Sequence, residues 1–112
     1  MIEINSVDEY VKTLKENNNL VVDFWAPWCG PCKALTPVIE SISNDYPNVT
    51  FAKVNIEENR GLAENNNVTS IPTLKFFKEG QAVKTQVGIS SRTLSKKVST
   101  LCCKWLIRLL LI

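Results

Sequence analysis

The stretch that most limits what this chain can fold into is an apolar run, Leu20-Val21-Val22-Asp23-Phe24-Trp25. It is followed almost at once by Trp28-Cys29-Gly30-Pro31-Cys32 and then by residues with helical periodicity. A run that is apolar on both of its alternating sides reads as a central strand, covered by packed helices on both faces. The chain then turns directly into a helix over residues 31–45, with Leu35, Val38, Ile39 and Ile42 as its apolar stripe. A thiol delivered to the first turn of a helix meets unpaired N–H groups and a partial positive charge, both of which favour the thiolate. The Cys-x-x-Cys spacing sets the second sulfur one turn further on, close enough for a small-loop disulfide. Pro31 suits a first turn, where its missing N–H costs nothing.

Two other uses of a cysteine pair compete with redox chemistry: a zinc half-site, and two buried cysteines with no chemistry. A zinc site needs a second ligand pair at suitable spacing. The chain has no histidine, and its other cysteines are the adjacent Cys102 and Cys103, far away in sequence. The spacing therefore favours thiol–disulfide exchange. Without imidazole, proton transfer falls to carboxylate, lysine, thiol or water.

The remaining pattern alternates strands and helices. Residues 1–4 read as a short edge strand. Ser6 or Asn5 caps a helix over 7–16, with Val7, Tyr10, Val11 and Leu14 on one face. Asn17-Asn18-Asn19 is a turn, and Pro37 is expected to kink the helix that contains it. A strand over 49–55, a helix over 60–64 and a loop at Asn65-Asn66-Asn67 follow. Residues 73–77 and 81–87 form a hairpin across Lys78-Glu79-Gly80, and a last helix begins near Ser90 or Ser91. This order argues an α/β sandwich whose crossovers build a mixed sheet, with the hairpin adding antiparallel edge strands.

The segment Val22-Asp23-Phe24-Trp25-Ala26-Pro27-Trp28-Cys29-Gly30-Pro31-Cys32-Lys33 resembles the active-site segment of the thioredoxin family. So do Asn67-Val68-Thr69-Ser70-Ile71-Pro72-Thr73-Leu74 around that family's cis-proline, Phe76-Phe77-Lys78-Glu79-Gly80 at its penultimate hairpin, and Gly88 before its last helix. The resemblance runs from about residue 2 to about residue 98. It implies a thioredoxin fold, a central mixed five-stranded sheet flanked by four helices, over a domain of residues 1–101. It also implies a protein disulfide reductase serving cell redox homeostasis, with Gly30-Pro31 accompanying a reductant rather than an oxidant. No bound cofactor is implied. Reducing equivalents would come from a separate thioredoxin reductase, a flavoenzyme using NADPH or a ferredoxin-linked enzyme, and pass to disulfide-containing protein substrates. The other class that the same fold serves is a binding or structural subunit with dispensable cysteines, against which the complete motif weighs.

Roles can be laid out on the matching positions. Cys29, ahead of the helix, is the candidate nucleophile with an exposed sulfur. Cys32, one turn inside, is the buried resolving thiol. Asp23 is an ionisable residue inside an apolar strand; burial would raise its pKa and suit it to acid–base work near neutrality. The family gives its equivalent proton exchange with the buried cysteine through water; the plain alternative is a solvent-facing aspartate. Lys53 resembles the lysine that pairs with that aspartate, or else is a solvated strand lysine. Pro72 resembles the cis-proline facing the disulfide, and Ile71 would offer its backbone to an extended substrate. Trp28 reads as a substrate-contact surface and Trp25 as packing under the active-site loop. Gly88 either lets a substrate backbone approach or is a turn glycine.

The chain of 112 residues and net charge +2 shows no basic stripe interleaved with aromatics, so no nucleic-acid partner is expected. No N-terminal targeting signal is visible, and a dithiol suits a reducing compartment, so the expectation is a cytoplasmic monomer. Residues 102–112 depart from the family as an atypical apolar C-terminal extension. From Val98 onward the stretch, interrupted by Lys104 and Arg108, is too short and too charged for a comfortable membrane span, which takes about 20 apolar residues. A contact surface, a wrap onto the domain and a translated non-coding extension all remain open, as does a role for Cys102 and Cys103.

Overall fold

The computed structural model describes residues 1–88 together with Val98. Its elements are β1 (Ile2–Ile4), α1 (Val7–Glu16), β2 (Asn19–Trp25), α2 (Gly30–Asp45), β3 (Thr50–Asn55), α3 (Arg60–Asn65), β4 (Thr73–Lys78) and β5 (Gln81–Val87). The five strands form one sheet in the order β1-β3-β2-β4-β5. β1 and β2 both run parallel to β3, whereas β4 is antiparallel to β2 and to β5. The apolar run is thus the middle strand of a mixed α/β sheet. The hairpin does not contribute two edge strands, as the sequence had led us to expect. β4 lies inside, paired with β2 from Asn19 to Phe24, and of the hairpin's two strands β5 alone is an edge. Its composition explains this: Leu74, Phe76 and Phe77 are all buried, while β5 exposes Val83 and Val87.

Alternation along β2 divides the core in two. Val21 packs with Leu35, Ile39 and Ile42 of α2 and with Phe51, Leu74 and Phe76; Val98 also belongs to this cluster and is fully buried. Leu20, Val22 and Phe24 face the other way, onto Ile4, Ala52, Val54, Leu62 and Phe77, with Tyr10 and Leu14 of α1 packed alongside. Pro37 lies within a single continuous α2.

Helix α1 starts as the sequence implies. The Ser6 hydroxyl accepts the Glu9 N–H at 3.1 Å, and the Glu9 carboxylate accepts the Asn5 N–H at 2.6 Å. Its buried face differs from the expected one. Val7 and Val11 are 57% and 41% exposed, and the inward residues are Tyr10, Thr13 and Leu14. Thr13 can be buried because its hydroxyl donates to the Glu9 carbonyl at 2.7 Å, so no polar group is stranded. Tyr10 anchors the helix, meeting Phe77 edge-on at 6.3 Å and donating its hydroxyl to Asn66 at 3.0 Å. Asn65 is the last residue of α3 rather than part of a loop, and the Asn66 amide caps that helix on the Leu62 carbonyl. Glu79 and Gly80, which join β4 to β5, have φ of 52° and 81°, the sign that a type I′ hairpin turn requires.

Of the expected last helix, only Val98 is among the described residues; the remainder and the 102–112 extension lie outside them. The rotated α1 face makes a direct prediction. In equilibrium denaturation, Val7→Ser should change stability by less than about 0.5 kcal/mol. Leu35→Ala, which empties a fully buried site, should cost roughly 2–5 kcal/mol.

Candidate active site

β2 ends at Trp25, and the chain turns through Ala26-Pro27-Trp28 to place Cys29 as the N-cap of α2. The Cys29 N–H donates to the Ala26 carbonyl at 3.1 Å, which closes the turn. The Cys29 sulfur accepts the Cys32 N–H at 3.2 Å, so one of the helix's unpaired donors points at sulfur. Cys29 and Cys32 form a disulfide, with Cα atoms 5.3 Å apart. Cys29 is less open than expected: it retains 6% exposure and Cys32 none. The reason is packing, because Ala26 is buried with the pair while Trp25, Ile56 and Ile71 close over it. Trp28, which precedes Cys29 in the chain, is a large apolar side chain at 65% exposure.

The Ile71–Pro72 bond is cis. The Gly88 N–H donates to the Pro72 carbonyl at 2.9 Å, tying the end of β5 to this loop. Gly88 has φ of 86°, and a Cβ there would meet nothing within 4 Å. Its backbone conformation, not crowding, is what calls for glycine. Gly30 shows neither a positive φ nor a crowded Cβ position. The structure thus gathers Cys29, Cys32, Trp25 and Ile71 into one cluster, with Pro72 adjoining Ile71 and linked to Gly88.

Asp23 is 2% exposed in the middle of β2, which excludes the solvent-facing alternative. It lies on the same side of the strand as Val21 and Trp25, the side that α2 covers. Its Oδ1 has no hydrogen-bond partner among the described residues. Burial raises its pKa to about 7, with the positive charge of Lys53 pulling the other way. Lys53 sits opposite Asp23 in the β2–β3 register. The ion pair expected between them is not formed among the described residues. The Lys53 ammonium instead meets the Glu3 carboxylate at 3.2 Å and lies 5.1 Å from the centre of the Trp25 ring. Glu3 went unnoticed in the sequence because the β1 register that brings it beside Lys53 is set by tertiary pairing. Ile56 was missed for a similar reason: it reaches the cysteine cluster only after β3 has ended.

A five-stranded mixed sheet with a disulfide at the N-cap of the helix after its central strand, and a cis-proline loop joined to the last strand, defines a thiol–disulfide oxidoreductase of thioredoxin fold. The family model for thioredoxin matches residues 1–100, and the chain belongs to the thioredoxin family. It is 48% identical over 73 residues to the thioredoxin of Chlamydia pneumoniae, covering 65% of this chain and 72% of that one. Thioredoxin-like protein 1 of Schizosaccharomyces pombe is 36% identical over 106 residues; the match takes in 93% of this chain but 37% of that longer protein. Oxidised mitochondrial thioredoxin 3 of Saccharomyces cerevisiae superposes with a TM-score of 0.86 at 32% identity, over 89% of this chain and 94% of that chain. The chain is accordingly a protein disulfide reductase working through the Cys29–Cys32 dithiol. A thioredoxin fold acting merely as a structural subunit is not favoured, and the chemistry needs no bound cofactor. Among the described residues, no three His, Cys, Asp or Glu side chains are placed to hold a metal, and no helix is long and apolar enough to cross a membrane.

The buried carboxyl makes stability depend on pH. The folded protein holds the Asp23 proton up to about pH 7, while the unfolded chain releases it near 3.8. Between those values the unfolded state binds fewer protons, so stability is greatest at the acid end and falls as pH rises through about 7. Asp23→Asn should remove that fall. In chemical denaturation it should stabilise the protein at pH 8, by about 4 kcal/mol at most, and the gain should shrink toward zero near pH 4. A variant with the wild-type pH slope would show that Asp23 is not the group responsible.

Proposed function

We propose that Cys29 attacks and Cys32 resolves, with Asp23 taking the proton that Cys32 gives up. The observation that carries this order is the asymmetry of the pair: Cys29 sits at the helix cap, keeps some exposure beside Trp28, and receives the Cys32 N–H. A thiolate at Cys29 attacks one sulfur of a substrate disulfide, forming a mixed disulfide and releasing the first substrate thiolate. Cys32 then loses its proton through water to the Asp23 carboxylate. Its sulfur attacks Cys29, forming the Cys29–Cys32 disulfide and expelling the second substrate thiolate. The substrate gains two electrons, its two thiolates take their protons from water, and the chain is left oxidised with the Cys32 proton on Asp23. A general base that titrates near neutrality suits the second step.

Trp28 and the backbone at Ile71, with Pro72 and Gly88 next to it, form the surface on which an extended substrate segment docks, by strand-like pairing at Ile71. Gly30 and Pro31 set the turn between the two sulfurs and so the balance of dithiol and disulfide. The oxidised chain is recharged by a separate thioredoxin reductase, a flavoenzyme using NADPH or a ferredoxin-linked one. The protein acts as a cytoplasmic monomer in redox homeostasis. These assignments rest on family membership and on the fit of a dithiol to a reducing compartment. The working domain ends near residue 101, a boundary that the family match to residue 100 supports.

Trapping tests the order of attack. Cys32→Ser should accumulate mixed disulfides with substrate proteins, visible on non-reducing gels, and Cys29→Ser should not; insulin reduction should be abolished in both. Equal trapping by the two variants would reject the assignment. A chain ending at residue 101 should retain full insulin reductase activity and form fewer disulfide-linked dimers, having lost Cys102 and Cys103. Removing residues 106–112 alone should leave the melting temperature within about 4 °C, the shift expected from a 1 kcal/mol loss in a domain of this size.

A further inference from the structure

Glu3, Lys53 and Asp23 form a row across three neighbouring strands. Glu3 is opposite Lys53 in the β1–β3 register, and Lys53 is opposite Asp23 in the β2–β3 register. All three therefore lie on the face that α2 covers. With strands about 4.8 Å apart, the lysine backbone is equally near both acids, and its ammonium can pair with only one at contact distance. It pairs with Glu3 at 3.2 Å. We propose that Glu3 is a positioning residue: its carboxylate holds the Lys53 ammonium toward β1 and so keeps Asp23 free of an ion pair.

Three observations favour Glu3 as the stronger claimant. Its side chain is 63% exposed, so pairing there leaves both charges in contact with water, whereas pairing at Asp23 would draw the ammonium into the buried interior. The Trp25 ring lies 5.1 Å from the ammonium and supports it in the outward position. A cavity of about 210 Å³ lined by Glu3, Trp25, Lys53 and Glu58 gives the ammonium room on the β1 side, and Asp23 is not among the residues that line it. No other described charge competes for Asp23. β4 presents Leu74 opposite it, α2 buries Cys32, Leu35 and Ile39 toward the sheet while Lys33 is exposed, and Glu58 lines the cavity around Lys53.

The consequence is electrostatic. An ammonium at contact distance would stabilise the Asp23 carboxylate and weaken its hold on a proton. With Lys53 held by Glu3, burial remains the larger influence and Lys53 the lesser one. The functional weight of this arrangement rests on the proton-acceptor role proposed for Asp23, but the arrangement itself can be tested apart from that role.

The test follows the Asp23 carboxyl carbon by NMR through a pH titration of the oxidised full chain at about 10 mM ionic strength, where screening is weak. Wild type, Glu3→Gln, Lys53→Met and the double variant are compared. Glu3→Gln should lower the Asp23 midpoint by roughly half a pH unit, the size set by a partly exposed ion pair. In the Lys53→Met background the same substitution should move the midpoint much less, because the intermediary is gone. An unmoved midpoint in Glu3→Gln overturns the proposal. So does an equal shift in both backgrounds, since Glu3 would then act through its own charge across the sheet. Insulin reduction by Asp23→Asn, measured over the same pH range, separates the two ideas. An unaltered rate profile there rejects Asp23 as proton acceptor, whereas the Glu3-dependent midpoint shift reports on positioning alone.

Discussion

Burial of β2 on both faces is the constraint on which the rest of the molecule depends. A strand paired on both sides and covered above and below must be apolar nearly throughout, and Leu20, Val21, Val22 and Phe24 are all at most 1% exposed. Its pairing with β3 and β4 fixes the sheet order, and its end at Trp25 fixes where α2 begins. The disulfide therefore has a rigid mount. Cys29 is held by a turn off the best-buried strand and by the first helical N–H groups, not by a mobile loop.

The same burial that steadies the sulfurs penalises the one charged residue in the strand. Asp23 has an oxygen with no hydrogen-bond partner among the described residues, and it stands in a position that a valine would fill more favourably for stability. Stability and acid–base chemistry pull in opposite directions at this residue. The fold tolerates the carboxyl because two apolar clusters, one on each side of the sheet, supply cohesion that does not depend on it.

The parts of this design that were readable from sequence are local. The apolar run, the Cys-x-x-Cys spacing, Pro31 in a first turn, Ser6 as cap and the Glu79-Gly80 turn each carry their own short-range physics. What could not be read depends on partners distant in sequence. Val7 and Val11 were expected on the buried face of α1, yet they are exposed while Thr13, its hydroxyl satisfied within the helix, is buried. The internal place of β4 needed knowledge of its pairing with β2. The cis bond at Pro72 was expected only through family resemblance, since about 5–6% of such bonds are cis. The place of Lys53 next to Asp23 was anticipated by resemblance as well, but its actual ionic partner required the β1–β3 register.

That register bears on how a thiol–disulfide site without histidine handles protons near neutrality. A buried carboxyl can hold a proton there only if no cation settles on it, yet a bare acid with no positive charge anywhere near would be difficult to ionise at all. Lys53 one strand away, with its ammonium turned to Glu3, is a middle course: near enough to lower the proton affinity of Asp23, and too far to neutralise the effect of burial. The short edge strand β1, three residues at the rim of the sheet, thereby joins the chemistry at its centre, because a parallel register transmits side-chain placement across strands with little loss.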